Sequence, residues 1–255
     1  MPKRLPILPT FLILFLLAAG GRAIAAAKSA GAGPFEGAID LRLTMEGGGG
    51  ELRLWMAGDL AKLDLAITMN PLPTPLRMAV LLDAKAPRKA TLVNDAMKSY
   101  SVIDLTDAPG ADSAGGKYSL KEVGKEKLLG YACTHLTLMR PHELVDAWVT
   151  QELPDVYGVL RKLQQANPQF GAADAFRALD AAGKSGLPMR CIVVRDGQRV
   201  TTEVRKIERR TVPSSMFSVP AGYAQSDLAG AGTAQPSPEQ IEQMKKMIQG
   251  ALQGQ

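Results

Sequence analysis

The sequence has few of the residues that catalysis, metal binding and disulfide frameworks require. Its 255 residues include two histidines, two cysteines and only 5% aromatic residues. It contains no GxSxG or HExxH motif, no P-loop and no glycine-rich dinucleotide turn, so no catalytic signature is recognised. We therefore expect a protein that is not an enzyme and that needs no cofactor.

The two histidines do not form a recognisable metal site. His135 and His142 flank the turn Arg140-Pro141, and only Glu143 is adjacent as a further ligand. Catalytic zinc sites usually have three protein ligands and structural sites four. We interpret both histidines as structural and predict no metal site.

The charge of the chain argues against nucleic acid as a partner. The formal net charge is +5, and three of the basic residues, Lys3, Arg4 and Arg22, lie in the N-terminal leader. Without them the charge is closer to neutral, and no long basic run remains. Nucleic-acid-binding domains usually present a concentrated basic patch.

Residues 1–27 have the layout of a secretory signal peptide. Two basic residues precede the apolar run Ile7–Ala19, and small residues follow at Ala23–Ala27, which predicts cleavage after Ala25 or Ala27. A retained membrane anchor is the alternative, but a spanning helix needs about 20 apolar residues. We expect a periplasmic or secreted protein whose mature chain does not span the membrane.

Alternation of apolar and polar residues dominates the first third of the expected domain. Residues 35–69 contain three such segments, separated by short turns at Gly47–Gly50 and Ala57–Asp59, which predicts an antiparallel meander. Similar segments continue to residue 150. A hairpin is predicted around Asp196-Gly197.

Helical periodicity appears in two places. An insert at about 155–182 interrupts the strands of a domain that we place at 28–223. After a small-residue linker (224–236), residues 237–253 predict an amphipathic helix. We favour docking of this helix on its own domain, with a partner or a membrane surface as the alternative.

The two cysteines permit one disulfide. Cys133 and Cys191 lie in strand-like segments of a chain that we expect to be exported. Bridging requires neighbouring strands with Cα atoms within roughly 7 Å. The alternative is a pair of buried thiols that act as small apolar residues.

One face of the predicted sheet is rich in methionine. Met side chains are flexible and adapt to varied apolar partners, so a curved sheet covered by the helical insert could enclose a lipid-sized cavity. The alternative is that these residues only fill a core. On the opposite face, Trp55 and Trp148 either mark a contact surface or lie under a helix. The residues predicted to line the cavity are Leu43, Met45, Leu54, Met56, Leu65, Ile67, Met69 and Met78.

Four segments resemble an uncharacterised bacterial exported family, a domain of unknown function that is similar to the LolA and LolB lipoprotein carriers. They are PFEGAIDLRLTM, LLGYACTHLTL, ELVDAWVTQELP and SMFSVPAGY, within residues 34–223. The resemblance implies an α+β fold of mainly antiparallel β structure: an incomplete (half) β-barrel covered by helices, here with the additional C-terminal amphipathic helix.

By analogy with the carriers, the resemblance implies binding of a lipid, an acyl chain or another hydrophobic small molecule. A non-enzymatic module that binds another cell-envelope protein is the alternative. A hydrolase with an unrecognised site is a third interpretation, which clustered polar groups in the cavity would favour.

Overall fold

The computed structural model describes residues 34–70, 74–86, 88–104, 117–165 and 172–226. The predicted signal peptide (1–27), the predicted C-terminal helix (237–253) and most of the predicted linker lie outside the described residues. None of the helices in the described part of the chain is long and apolar enough to cross a membrane.

Twelve strands of the described residues form one open sheet, with the order β12-β6-β5-β4-β3-β2-β1-β11-β10-β9-β8-β7. Every pairing is antiparallel except that of β12 with β6. The prediction of mainly antiparallel β structure is confirmed. The strands are β1 (Gly37–Met45), β2 (Gly48–Ala57), β3 (Leu60–Met69), β4 (Leu76–Asp83), β5 (Lys89–Asn94), β6 (Ser99–Asp104), β7 (Ser119–Leu128), β8 (Tyr131–Arg140), β9 (Glu143–Thr150), β10 (Leu187–Arg195), β11 (Gln198–Arg209) and β12 (Ala224–Gln225).

The predicted three-strand meander is confirmed as β1 to β3. Leu41 pairs with Leu52, which pairs with Leu65, so apolar residues of three strands share one side of the sheet. We call this side the apolar face and the opposite side the outer face. Strict alternation produces this separation, because successive side chains of a strand point to opposite faces.

Pairing of β1 with β11 joins the two halves of the chain. It extends from Gly37 opposite Arg209 to Met45 opposite Val200, with an irregularity between Asp40 and Leu41. The turn before β11 is the one that the sequence predicts. Asp196 and Gly197 both have positive φ, at 50° and 80°, as the tight hairpin turn requires.

Two helices follow β9 and pack against the apolar residues of the sheet. They are α1 (Pro154–Gln165) and α2 (Ala172–Ala181). Val156 and Leu160 of α1 belong to the large apolar cluster formed with β1, β2 and β3. Ala175 and Leu179 of α2 belong to a second cluster, formed with β8, β9 and β10.

The segment after β11 returns across the outer face. It forms a short 3-10 helix at Ser214–Phe217, and Val219 and Tyr223 then pack against Ala79, Leu81 and Val93. Ala224 and Gln225 pair with Ser99 and Tyr100 as β12. The structure thus differs from the sequence-based boundary, because the first two residues of the predicted linker belong to the sheet.

The two cysteines are free and buried. Cys133 lies on β8 and Cys191 on β10, and β9 lies between these strands. Cys191 pairs with Ala147 of β9 rather than with β8. The disulfide that the sequence permitted is not formed in the structure, and the observed state is the alternative of two buried thiols.

We expect both thiols to react slowly with a disulfide reagent at pH 8. Burial raises the pKa of Cys133 and of Cys191, so less thiolate is present than for an exposed cysteine. Because labelling also requires local opening, the rate should be at least about tenfold below that of the unfolded chain. Labelling in guanidinium, where two equivalents should react, is the control; rapid labelling of the native chain would contradict the buried placement.

Candidate functional site

The predicted cavity residues all belong to one apolar cluster. Five of them, Leu43, Leu54, Met56, Leu65 and Ile67, are at most 5% exposed. The other three, Met45, Met69 and Met78, are half-buried and pack against the same cluster. The structure therefore brings the eight residues together, with the first group deep in the cluster and the second at its border.

The three half-buried methionines form what we call the methionine rim. Met45 of β1 and Met69 of β3 lie on either side of Gly48 of β2. Met78 of β4 pairs with Leu65. Each methionine lies at the end of a strand or close to it, so the rim marks the end of the apolar face where β1 meets β2.

Glycines leave β2 without side chains next to the rim. Gly48 lies between Met45 and Met69, and Gly50 lies between Leu43 and Ile67. A Cβ atom would lie 2.4 Å from the Thr68 carbonyl oxygen at Gly48, and 2.6 Å from the Ala66 carbonyl oxygen at Gly50. Both positions therefore require glycine. The result is a close approach of the β3 backbone to β2 beside the rim.

The helical side of the cluster comes from residues that the sequence did not assign to the site. Leu153, at the start of the helical segment, is buried with Val156 and Leu160 in the large cluster. The Phe35 backbone N–H donates to Asp155 Oδ2 at 3.2 Å, which ties the beginning of α1 to the beginning of β1. The helical periodicity of Val156 and Leu160 was the available signal, but it does not indicate which strands the helix covers.

A buried group of charges attaches α2 to the sheet. Arg140 Nε donates to Glu143 Oε2 at 2.6 Å, and its Nη1 donates to Asp174 Oδ2 at 3.0 Å. Arg195 Nη2 donates to Glu143 Oε1 at 2.5 Å. The ring of Tyr118 lies under Arg140, with 4.6 Å from the guanidinium carbon to the ring centroid. We call these five residues the buried charge cluster.

A second polar contact ties α1 to the end of α2. Tyr157 Oη donates to Asp180 Oδ1 at 2.6 Å, and Ser185 donates to the same oxygen. Burial, together with this hydrogen bond to Asp180, raises the pKa of Tyr157 well above its usual range. The tyrosine therefore remains a neutral hydrogen-bond donor at physiological pH.

The two tryptophans lie half-buried on the outer face, as the alternation predicts. Trp55 Nε1 donates to Asp64 Oδ2 at 2.9 Å. Trp148 stacks on His135, with ring centroids 4.0 Å apart and planes 7° from parallel. The Arg190 guanidinium carbon lies 5.4 Å from the Trp148 ring centroid. In the described structure, side chains of neighbouring strands contact both indoles.

His135 also contacts a carboxylate on the neighbouring strand. Its Nε2 lies 3.3 Å from Asp146 Oδ1, which also accepts a hydrogen bond from Thr137 Oγ1 at 2.7 Å. His142 instead lies exposed in the β8–β9 turn. Among the described residues, no group of three His, Cys, Asp or Glu side chains could hold a metal ion.

Comparison with solved structures finds distant similarities. An uncharacterized conserved protein from Thermus thermophilus matches with 6% identity and a TM-score of 0.44, over 75% of this chain and 90% of the other. The Pseudomonas aeruginosa MucA/MucB complex matches with 10% identity and a TM-score of 0.41, over 72% and 55%. A putative outer membrane lipoprotein-sorting protein domain from Vibrio parahaemolyticus matches with 11% identity and a TM-score of 0.32, over 72% and 89%.

Comparison with protein families is more specific. No curated protein matches the sequence. One family model matches residues 35–223, which include β1 to β11, both helices and the segment that crosses the outer face. The chain belongs to this family, the domain of unknown function DUF4412.

Proposed function

We propose that this protein binds a hydrophobic ligand, an acyl chain or another lipid-sized molecule, between the apolar face of its sheet and the helices α1 and α2. The ligand is bound and carried without a chemical step and without a cofactor. Binding takes place outside the cytoplasm, in the periplasm or beyond it, after removal of residues 1–27.

The observation that carries the proposal is the methionine rim at the border of the large apolar cluster. Met45 and Met69 are half-buried while their neighbours Leu43 and Ile67 are buried, so contact with solvent begins at the rim. Gly48 places no side chain between the two methionines. An alkyl chain that entered here would meet thioether and methylene groups on both sides.

The properties of methionine suit this role. Its side chain is unbranched and polarizable, so it adapts to ligands of different shape at little cost. A ligand gains about 0.8 kcal/mol for each methylene group removed from water. An alkyl chain of moderate length therefore binds usefully without any ion pair.

The helices provide the opposite wall of the proposed site. Leu160 of α1 belongs to the same large apolar cluster as residues of the rim strands, and α1 lies close to β10. The buried charge cluster holds the beginning of α2 against β8 and β9. In this proposal, α1 and α2 cover the apolar face of the open sheet.

Binding of another envelope protein through the outer face is the second candidate. One observation favours it: Trp148 Nε1 is buried without a hydrogen-bond partner among the described residues, beside the ring of His135. A partner would supply the missing acceptor if its binding moved the side chains that cover the indole, since buried indole N–H groups are usually hydrogen-bonded. Under this candidate the apolar cluster is a solid core.

The proposal is tested by native mass spectrometry of the protein purified from a periplasm without detergent. We expect a reproducible additional mass that organic extraction identifies as lipid. The Met45→Glu variant should lose at least about 90% of this mass, because a carboxylate at the rim would have to be desolvated by the ligand. Ile67→Glu is a poorer variant, because that side chain is only 2% exposed and a charge there would disrupt folding.

Thr44→Glu is the matched control. Thr44 is adjacent to Met45 on β1, but it is exposed on the outer face. This variant should keep the bound lipid and the melting temperature of the original protein. A chain without additional mass that also takes up no added lipid would overturn the proposal, and affinity capture with Trp148→Ala as the control would then test the second candidate.

A further inference from the structure

The free edge of the sheet at β7 has an unusual surface. β7 is the last strand in the sheet order and pairs only with β8 among the described strands. Three of the five large apolar side chains that are exposed in the described structure lie on this strand, on β8 or in their turn: Val123, Leu129 and Met139. Within the described part of the chain, the edge therefore combines unpaired backbone groups with exposed apolar side chains.

An irregularity in β7 changes which residues share a face. Glu122 pairs with Leu136, but Gly124 pairs with His135, so Val123 is an extra residue in the strand. Such a bulge reverses the alternation of side chains beyond it. Leu136 belongs to the apolar face and His135 to the outer face, so the reversal can be read from the pairing.

The reversal places charges three and five residues apart on the same face. Glu122 and Lys125, opposite Leu136 and Thr134, both lie on the apolar face. Lys121 and Glu126, opposite Thr137 and Cys133, both lie on the outer face. In a regular strand, each of these pairs would be divided between the two faces.

We propose that a second copy of this chain pairs with β7, antiparallel and about a two-fold axis that passes between Val123 and Gly124. Lys121 of each copy then lies opposite Glu126 of the other, and Glu122 opposite Lys125. The two bulges lie opposite each other, so both strands keep the same register. Paired side chains then lie on the same face of the joined sheet. The dimer contains four opposite-charge pairs: two between Lys121 and Glu126, and two in which Lys125 joins the ion pair that Glu122 already forms with Lys184 of its own chain.

The same charges disfavour other strands. Edge strands with lysine residues and a bulge normally resist pairing, because an incoming strand meets unmatched charge and distorted spacing. A second copy of β7 has the opposite charge at positions 121, 122, 125 and 126, an uncharged Leu120 opposite Lys127, and the matching bulge. Cross-strand pairs of opposite charge stabilise a sheet, and like charges directly opposite destabilise it. The pattern therefore selects this chain as the partner.

Analytical ultracentrifugation of residues 28–255, the chain without its predicted signal peptide, tests the proposal. We expect a dimer that forms as the concentration rises from about 1 to 500 μM, since strand pairing alone gives a small interface. Lys121→Glu or Glu126→Lys places like charges opposite each other twice, so the dissociation constant should rise about tenfold or more. The double variant Lys121→Glu/Glu126→Lys exchanges the charges and should restore it to within about threefold.

Neither substituted residue has a role in the apolar cluster. Both are exposed, so the melting temperature of each monomer and the mass of bound lipid should stay unchanged. A zero-length carbodiimide cross-linker, applied to mixed light and heavy-isotope chains, should join Lys121 of one copy to Glu126 of the other. This link establishes the register as well as the partner.

Three results would overturn the proposal. One is a monomer throughout the concentration range, which would mean that the charged edge only prevents association. Another is a dimer whose dissociation constant does not rise in the single variants, or does not return toward its original value in the double variant. The third is a monomer whose β7 edge binds an extended segment of a different protein. None of them bears on whether the apolar face binds lipid.

Discussion

Replacement of Arg140 by methionine should lower the free energy of unfolding by about 3 kcal/mol, because it breaks a buried ion pair and leaves its acids behind. The side chains of Arg140 and Glu143 are 9% and 4% exposed, and Asp174 is nearly as buried. We expect a stability loss at the lower end of the range for a broken buried ion pair, since Arg195 still contacts Glu143 and Arg177 still contacts Asp174. Urea unfolding followed by tryptophan fluorescence measures the effect.

The control for this prediction is an ion pair on the outer face. Arg42 lies 3.0 Å from Glu51, and these side chains are 55% and 61% exposed. Arg42→Met should change the free energy of unfolding by less than about 1 kcal/mol. Hydrogen exchange gives a second readout: in Arg140→Met, the amides of α2 should exchange faster than those of β1 to β3. Equal stability losses in the two variants would show that the buried charge cluster does not hold α2.

Leu54→Ala should also be severely destabilising, by about 3 kcal/mol, because it opens a cavity in a packed cluster. Leu54 is 1% exposed and lies on β2 between Ile39 and Leu63. Thermal and urea unfolding of the lipid-free chain measure the loss. The experiment also examines whether the deep residues of the apolar face pack against protein or against an open space.

The comparison is Met45→Ala at the rim. Met45 is half-buried, so removing its side chain should cost less than about 1.5 kcal/mol in the lipid-free chain. Added lipid should stabilise the Leu54→Ala variant at least as much as the original protein. If Leu54→Ala costs no more than Met45→Ala, the deep part of the face is open rather than packed, and the ligand extends further inside than the rim.

The first half of the sheet could be predicted because local sequence specifies it. Alternation over residues 35–69 determines both the strands and their faces, and Asp196-Gly197 determines a hairpin through its turn geometry. These features depend on neighbours in the sequence. The methionines of the rim were predicted for the same reason, since each follows the alternation of its own strand.

Contacts between distant parts of the chain could not be predicted. Arg140 and Asp174 are 34 residues apart, and no local pattern indicates that they meet. Similarly, the pairing of β12 with β6 involves only two residues, Ala224 and Gln225, in a segment whose composition suggests a linker. The glycines of β2 were interpreted as a turn, because sequence alone does not show the carbonyl groups that exclude a Cβ atom there.

The pairing of β1 with β11 has a consequence for how the protein is made. Gly37 pairs with Arg209, so the first strand of the sheet to be synthesised must wait for the last long one. Until then, β1 has an unsatisfied edge rich in apolar residues, a site for aggregation. The loop between β1 and β11 must also close before these strands can pair, and closing so long a loop makes folding slow. A chain truncated before β11 should therefore be captured by chaperones or precipitate, although its first ten strands are complete.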